Sequence, residues 1–151
     1  MKKNVLIILL TIFVLSCNSN EGNSGMVNIE PILIAKDNLY GNGGEGISEQ
    51  NLVISDQNTW IELISQMNSV NNVSDSFSEI DIDFSEYTVI AVFDDIKPNG
   101  GYFLEMNVVS NSENIIVNIN VSSPEGITTT VITQPFIIVK ILNSELPILF
   151  Q

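Results

Sequence analysis

Runs of β-branched and aromatic residues fill most of the chain after residue 80, and short polar segments separate them. Runs of this length, bounded by Gly, Pro, Asn and Ser, are typical of β-strands. The short connections favour antiparallel pairing of neighbouring strands. Including two runs nearer the amino terminus, the predicted strands are residues 27–35, 51–54, 88–93, 102–109, 115–121, 127–133 and 136–142.

One segment has helical spacing of its apolar residues. Its apolar positions recur at i, i+3, i+4 and i+7, which predicts an amphipathic helix. Asp56 or Thr59 can cap its start, and Thr59 with Glu62 has the spacing of a capping box. A helix of about ten residues does not persist alone in water, so its apolar face must pack on the sheet. The residues of this face are Trp60, Leu63, Ile64 and Met67.

These elements predict an α+β fold: a mostly antiparallel β-sheet, sandwich-like or curled, with one amphipathic helix packed on it. Asn99-Gly100 is a strong signal for a two-residue type I′ hairpin. We therefore expect strands 88–93 and 102–109 to pair across this turn, with Phe93 opposite Met106. Residues 37–46, which are rich in glycine, are predicted to form a loop.

The first seventeen residues have the parts of a bacterial lipoprotein signal. Lys2 and Lys3 precede an apolar run at 5–15, which is about half the ~20 residues that a membrane-spanning helix needs. We expect a signal peptide at 1–16, a lipidated Cys17 that begins a flexible tether at 17–26, and one globular domain at 27–151. The expected location is the bacterial cell envelope, as an outer-membrane lipoprotein. Ordinary cleavage that leaves Cys17 unmodified is the alternative.

Charge and residue types restrict the functions open to this chain. It has 5 lysines, 18 acidic residues and no histidine, and its net charge is −13. Such a surface repels phosphate backbones, so we expect no nucleic acid partner. Without histidine or a second cysteine, few side chains can be poised for catalysis near neutral pH. We expect a protein that is not an enzyme and has no cofactor.

Two groups of residues are weak candidates for ligand binding. Asp81 and Asp83 alternate with apolar residues, so calcium could bind both carboxylates if they project from one strand face. No EF-hand spacing accompanies them, and a polar strand face in water explains the same pattern. Residues 41–46 lack the Lys-Ser/Thr of a phosphate loop, and Glu45 would repel a phosphate.

Several ordered features together resemble a known family. Trp60 lies in the predicted helix, residues 83–93 read DFSEYTVIAVF, residues 97–102 read KPNGGY, and residues 133–141 read TQPFIIVKI. This order resembles the PrcB-like family, named for a lipoprotein subunit of a bacterial surface protease complex. The likeness extends roughly over residues 47–142.

The resemblance implies a non-catalytic accessory protein that stabilises or tethers a partner protease, with the membrane reached through the amino-terminal lipid. It brings no catalytic residues. It draws attention to one turn as a binding or structural feature, with glycines suited to positive φ and a tyrosine suited to burial. The residues of this turn are Pro98, Asn99, Gly100, Gly101 and Tyr102.

Two other functions stay open from the sequence. Residues 98–102 and 41–44 look locally like loops of chagasin-type inhibitors, although their order along the chain is reversed, so a peptidase inhibitor is one alternative. A cell-surface glycan-binding lipoprotein is the other, and it requires exposed aromatic rings. The candidate rings are Trp60, Tyr87 and Tyr102.

Overall fold

The computed structural model describes residues 25–151, which form two four-stranded sheets and one α-helix. A single turn of 3₁₀ helix lies at Val73–Ser76. Among residues 25–151, no helix has the length and apolar character needed to cross a membrane. The elements are β1 (Val27–Ile29), β2 (Ile32–Leu39), β3 (Gln50–Ile54), α1 (Gln57–Met67), β4 (Tyr87–Phe93), β5 (Phe103–Ser110), β6 (Ile115–Ser122), β7 (Gln134–Leu142) and β8 (Ile148–Phe150).

The molecule has three layers. The inner sheet has the order β2-β7-β4-β3 and is antiparallel throughout. The outer sheet has the order β1-β5-β6-β8, and only β8 runs parallel to its neighbour. Helix α1 packs on one face of the inner sheet, and the outer sheet packs on the other. The predicted fold class, a mostly antiparallel sheet structure with one packed helix, is confirmed.

Strands β4 and β7 occupy the centre of the inner sheet because both of their faces are apolar. One set of their side chains, which includes Phe93 and Ile138, packs under α1. The alternate set, which includes Val92 and Val139, packs against the outer sheet. Successive strand residues point to opposite faces, so each face of this pair needs its own cover.

Asp56 is the N-cap of helix α1, which decides between the two cap candidates. The Asp56 carboxylate accepts hydrogen bonds from the backbone N–H groups of Asn58 and Thr59, both at 3.0 Å. These bonds, that of Thr59 first, hold the pKa of Asp56 below its ordinary value. Trp60 on the apolar face is fully buried, and its Nε1–H donates to the carbonyl of Ile80 at 2.8 Å.

The predicted hairpin at Asn99-Gly100 is wrong. Strand β4 pairs with β3 and β7, whereas β5 pairs with β1 and β6, so the two strands lie in different sheets. Gly101, with φ of 92°, has the positive φ in this segment, and Asn99 and Gly100 do not. The turn therefore carries the chain from one sheet to the other. Phe93 faces α1, while Met106 packs in the core between the sheets.

Four further features differ from the sequence prediction. The strand expected at 27–35 is two strands, because the chain changes sheets at Pro31, which has no N–H for a sheet ladder. The loop expected at 37–46 begins later, since β2 continues to Leu39. Residues 127–132 form no strand in the structure, although their β-branched content predicts one. Strand β8 is an element that the sequence prediction did not include.

Truncation of a doubly covered strand should destabilise the domain far more than truncation of its exposed end. Ile138 in β7 is fully buried, and Leu142 at the end of the same strand is 63% exposed. We expect Ile138→Ala to lower the free energy of unfolding by about 2–5 kcal/mol through lost burial and a cavity. Leu142→Ala should change it by less than about 0.5 kcal/mol. Urea denaturation measures both, and equal losses would contradict the assigned burial of β7.

Candidate functional site

Three connections meet at one end of the sandwich, which we call the loop end. They are residues 40–49, 94–102 and 123–133, which join β2 to β3, β4 to β5 and β6 to β7. The antiparallel order of the inner sheet places the end of β2, the end of β4 and the start of β7 side by side. The turn singled out in the sequence lies in the second of these connections.

The backbone of the turn supports the 123–133 loop. Lys97 and Thr133 exchange two backbone hydrogen bonds, with N···O distances of 2.7 and 3.1 Å. Further along, the N–H of Gly100 donates to the carbonyl of Thr129 at 3.1 Å. The loop is thus attached to the turn at two separate places, which leaves the residues between and beyond them to project from the sandwich.

Side chains add two more attachments between the same segments. The Asn99 amide Nδ2–H donates to Thr128 Oγ1 at 2.7 Å. In return, the Thr133 hydroxyl donates to the carbonyl of Asn99 at 3.1 Å. Asn99 therefore holds both the outer and the inner part of the loop, which gives this position a structural role in the turn.

The two glycines allow the loop to lie directly on the turn. A Cβ on Gly101 would stand 2.7 Å from Cβ of Pro124, and its φ of 92° already disfavours other residues. A Cβ on Gly100 would stand 2.6 Å from Thr129 Oγ1. Both glycines permit a close approach, and only Gly101 also requires positive φ. Pro98 beside them is exposed.

Lys97 is the centre of a group of charged contacts at the loop end. Its Nζ lies 2.9 Å from Asp94 Oδ2, contacts Asp95, and stands 5.5 Å from the centre of the half-buried Tyr102 ring. Burial alone would lower the pKa of Lys97, but its bonds and charge contacts with Asp95 and Asp94 raise it overall. The hydrogen bond from Lys97 in turn holds the pKa of Asp95 below its ordinary value. These pairs fix the turn against the end of β4.

A buried glutamine joins the first and second connections. Gln134, the first residue of β7, donates from Nε2 to the carbonyls of Ile47 and Asp94 at 3.0 and 2.9 Å. Asn38 in β2 similarly donates to the carbonyl of Tyr102 at 3.2 Å. Sequence reasoning passed over both residues. The available sequence signal is a glutamine at the start of a largely apolar strand. In the structure its side chain is 2% exposed, so its amide N–H groups need partners inside the protein.

The loop end exposes a set of apolar side chains. Ile127 is fully exposed, and three other large apolar residues of the second and third connections are more than a third exposed. Exposed isoleucine and valine carry no chemistry for turnover, but they contribute to binding when a partner covers them. These residues therefore make the loop end suited to contact with a partner. We call the four residues Ile96, Ile127, Val131 and Ile132 the apolar loop residues.

The remaining sequence candidates lie elsewhere. Cys17 falls outside the described residues. Asp81 and Asp83 are exposed, but residues 80–84 form no strand, so the shared strand face expected for them is wrong. Asp83 Oδ1 accepts from both the hydroxyl and the N–H of Ser85, and these bonds lower its pKa. Within residues 25–151, no three acidic, cysteine or histidine side chains are grouped as a metal site.

The three candidate aromatic rings do not form one exposed platform. Trp60 is fully buried under the inner sheet and offers no face for a sugar. Tyr87 and Tyr102 are half-buried, and each lies beside a lysine ammonium group. Tyr102 is at the loop end, whereas Tyr87 begins β4 at the opposite end. The expected burial of Tyr102 is only partial.

Gly101 and Gly126 form a matched pair for testing the turn. Their φ angles are 92° and 91°, but a Cβ on Gly126 meets nothing within 4 Å. We expect Gly126→Ala to cost about 1 kcal/mol of stability for backbone strain alone. Gly101→Ala should cost at least about 1 kcal/mol more, since Pro124 must move. Chemical denaturation measures the difference, and equal costs would contradict the close contact between turn and loop.

The Lys97 pairs should make stability depend on pH in a defined window. The contribution of Asp95 is complete above its unfolded pKa and is lost as pH falls through its lowered folded pKa. That of Lys97 is complete below its unfolded pKa and is lost as pH rises through its raised folded pKa. The stability difference between the wild type and Lys97→Met should be constant near neutrality and shrink at both extremes. A difference independent of pH would contradict the ion pairs.

Part of the chain matches a known protein family. Residues 88–141 match the family model described as PrcB C-terminal. No curated protein and no solved structure matches the chain. The matched region runs from β4 to β7 and includes the whole turn and the 123–133 loop that rests on it. The match confirms, for residues 88–141, the resemblance to the PrcB-like family noted in the sequence.

Proposed function

We propose that this protein is a non-catalytic accessory subunit that binds a partner of a protease complex through its loop end. The family match over residues 88–141 supports the association with a protease complex. The apolar loop residues support the location of the contact, because they are the exposed part of a segment that the family match includes. The partner is a protein, and no cofactor takes part.

The proposal rests mainly on residues 123–133, which expose apolar side chains and are held in place by hydrogen bonds. Ile127 is fully exposed, yet Gly100, Asn99 and Thr133 fix the segment that carries it by hydrogen bonds. A loop held in place loses little conformational entropy on binding, so more of the contact energy appears as affinity. Apolar side chains at the centre of a contact are the usual source of that energy.

The charge of the chain favours a partner surface that is neutral or basic. The net charge is −13, and Lys97 is already paired with Asp94 and Asp95. An acidic partner would be repelled during the encounter, whereas a basic one would be attracted. The ion pairs lie beside the apolar loop residues, so they form a polar border to the contact.

The proposal includes attachment to the envelope through a lipid on Cys17. The tether at 17–26 leads to β1, which pairs with the end of β5 farthest from Tyr102. The chain thus enters at the end opposite the loop end, which we call the tether end. Strands of seven to nine residues at about 3.3 Å per residue separate the two ends by roughly 25–30 Å. An outer-membrane anchor would then present the loop end away from the lipid surface.

A peptidase inhibitor is the second candidate, and one contact favours it. A Cβ on Gly43 would stand 2.7 Å from Cδ1 of Ile96, so the glycine-rich loop lies beside the second connection. The two loops that look like inhibitor loops are therefore neighbours at the loop end. Titration of a papain-like protease with the protein at micromolar concentration tests this candidate. Undiminished protease activity removes it and leaves the accessory role standing.

Charged substitutions in the apolar loop residues should abolish capture of the partner. We expect the double variant Ile127→Asp/Val131→Asp to lose its co-purifying partner from gently solubilised membranes, because a buried unpaired carboxylate opposes the contact. The matched control is Ile61→Asp on α1, since Ile61 is 55% exposed on the helix layer. The control should retain the partner, and quantitative mass spectrometry of the purified material compares the three proteins.

Two outcomes would contradict the proposal. Recovery of every protein as a lone monomer would show that no stable partner exists. Equal capture by the wild type and the loop variant would show that the partner binds elsewhere. Thermal unfolding of the variants serves as the folding control, and all three proteins should unfold at similar temperatures because the substituted residues are exposed.

A further inference from the structure

An apolar cleft opens at the tether end of the sandwich. It has a volume of about 370 Å³, and its apolar lining comes from Ile29, Ile115, Leu142 and Leu146. This volume lies within the range of small-molecule sites. Ile115 is 2% exposed and belongs to the core between the sheets, so the cleft leads from the surface toward that core. Glu30 lies among its lining residues.

Local sequence explains why the sandwich is open here. Strand β1 contains only three residues, and the chain then leaves the outer sheet at Glu30 and Pro31. On the other side, β7 ends at Leu142, which is 63% exposed. The strands that cover this end in the two sheets therefore stop at the same level, and side chains from both sheets form the walls of the cleft.

We propose that this cleft holds part of an acyl chain carried by Cys17, an inference that rests on the proposed lipidation. The cleft begins at Ile29, directly beyond the tether. Residues 17–27 reach about 35 Å when extended, so the tether is long enough for a lipid on Cys17 to return to the cleft. Their Asn, Ser, Gly and Glu composition allows the chain to fold back.

Charge selects this occupant over other hydrocarbon ligands. Glu30 lines the cleft, and Glu145 lies in the connection that borders it. A fatty acid anion or an anionic lipid would place its negative charge beside these carboxylates. An acyl chain joined through neutral glycerol avoids that repulsion. A second copy of this protein is also disfavoured, since each copy carries a net charge of −13.

Binding in the cleft removes hydrocarbon from water while the protein is off the membrane. The gain follows the number of buried methylene groups and needs no specific polar contact. The cleft holds only part of a long acyl chain, so a bilayer still provides the better environment for the whole lipid. The cleft thus holds hydrocarbon only while the protein is off the membrane, and it is a site separate from the loop end.

Neutral monoacylglycerols test the cleft directly in the mature chain, residues 17–151, with Cys17→Ser. Probes with acyl chains of six, eight and ten carbons are titrated below their aggregation limits, and methyl NMR follows Ile29, Ile115, Leu142 and Leu146. We expect saturable binding that tightens about tenfold or more for every two carbons, as burial of methylene groups requires. Fatty acid anions of equal chain length should bind more weakly.

Substitutions locate the site. Leu142→Asp should weaken binding of the ten-carbon probe at least tenfold, and Ile61→Asp on the helix layer should not change it. Both residues are more than half exposed, so neither variant should disturb folding. Absence of saturable shifts, shifts centred on residues outside the cleft, or equal binding by Leu142→Asp and the wild type would each overturn the proposal.

A second measurement tests the occupant in the native lipoprotein. Cells are fed a fatty acid with a photoreactive group near its end, and the protein is extracted and irradiated. Cross-links from the Cys17 peptide to residues 142–146 support the proposal. Labelling of Cys17 with cross-links only to phospholipid or to a partner overturns it, as does an unlabelled Cys17. The capture experiment at the loop end is independent of these results, so failure here is distinct from failure of the proposed partner contact. Only an unlabelled Cys17 would also remove the proposed lipid anchor.

Discussion

Burial of β4 and β7 on both faces is the constraint on which the rest of the structure depends. Their alternate side chains feed two separate cores, so neither strand can lie at a surface or an edge. Helix α1 covers one side through Trp60, Leu63 and Met67, and the outer sheet covers the other. The helix, too short to be stable alone, and the outer sheet both owe their positions to this pair.

The turn at 97–102 links this constraint to function. It carries the chain from the inner to the outer sheet, and the same residues support the loop that holds Ile127. A rearrangement of the inner sheet would therefore move the proposed contact surface as well. The family match at 88–141 begins within β4 and ends within β7, so it contains the doubly buried strands together with the surface that they position.

The sequence predicts local features of this protein better than its long-range pairings. Trp60, Leu63 and Met67 identify the helix, because apolar side chains that share one helix face recur with the helical period. In β4 and β7 most positions on both faces are apolar, so alternation does not indicate which strands are their neighbours. The local turn signal at Asn99-Gly100 suggested the wrong neighbour for β4. Residues 127–132 are β-branched without a ladder partner. Gln134 lacks a recognisable motif because its partners are the carbonyls of Ile47 and Asp94, which only the fold brings together.

In our proposals, the loop end of the domain contacts a protein partner and the tether end holds hydrocarbon. The central claim is that contact with the partner occurs at the first of these. Hydrogen exchange tests it most directly, when the complex extracted from gently solubilised membranes is compared with the isolated protein. The account predicts slower exchange in residues 94–102 and 123–133, with α1 unchanged. Slower exchange in α1 alone, or no change at the loop end, would contradict it.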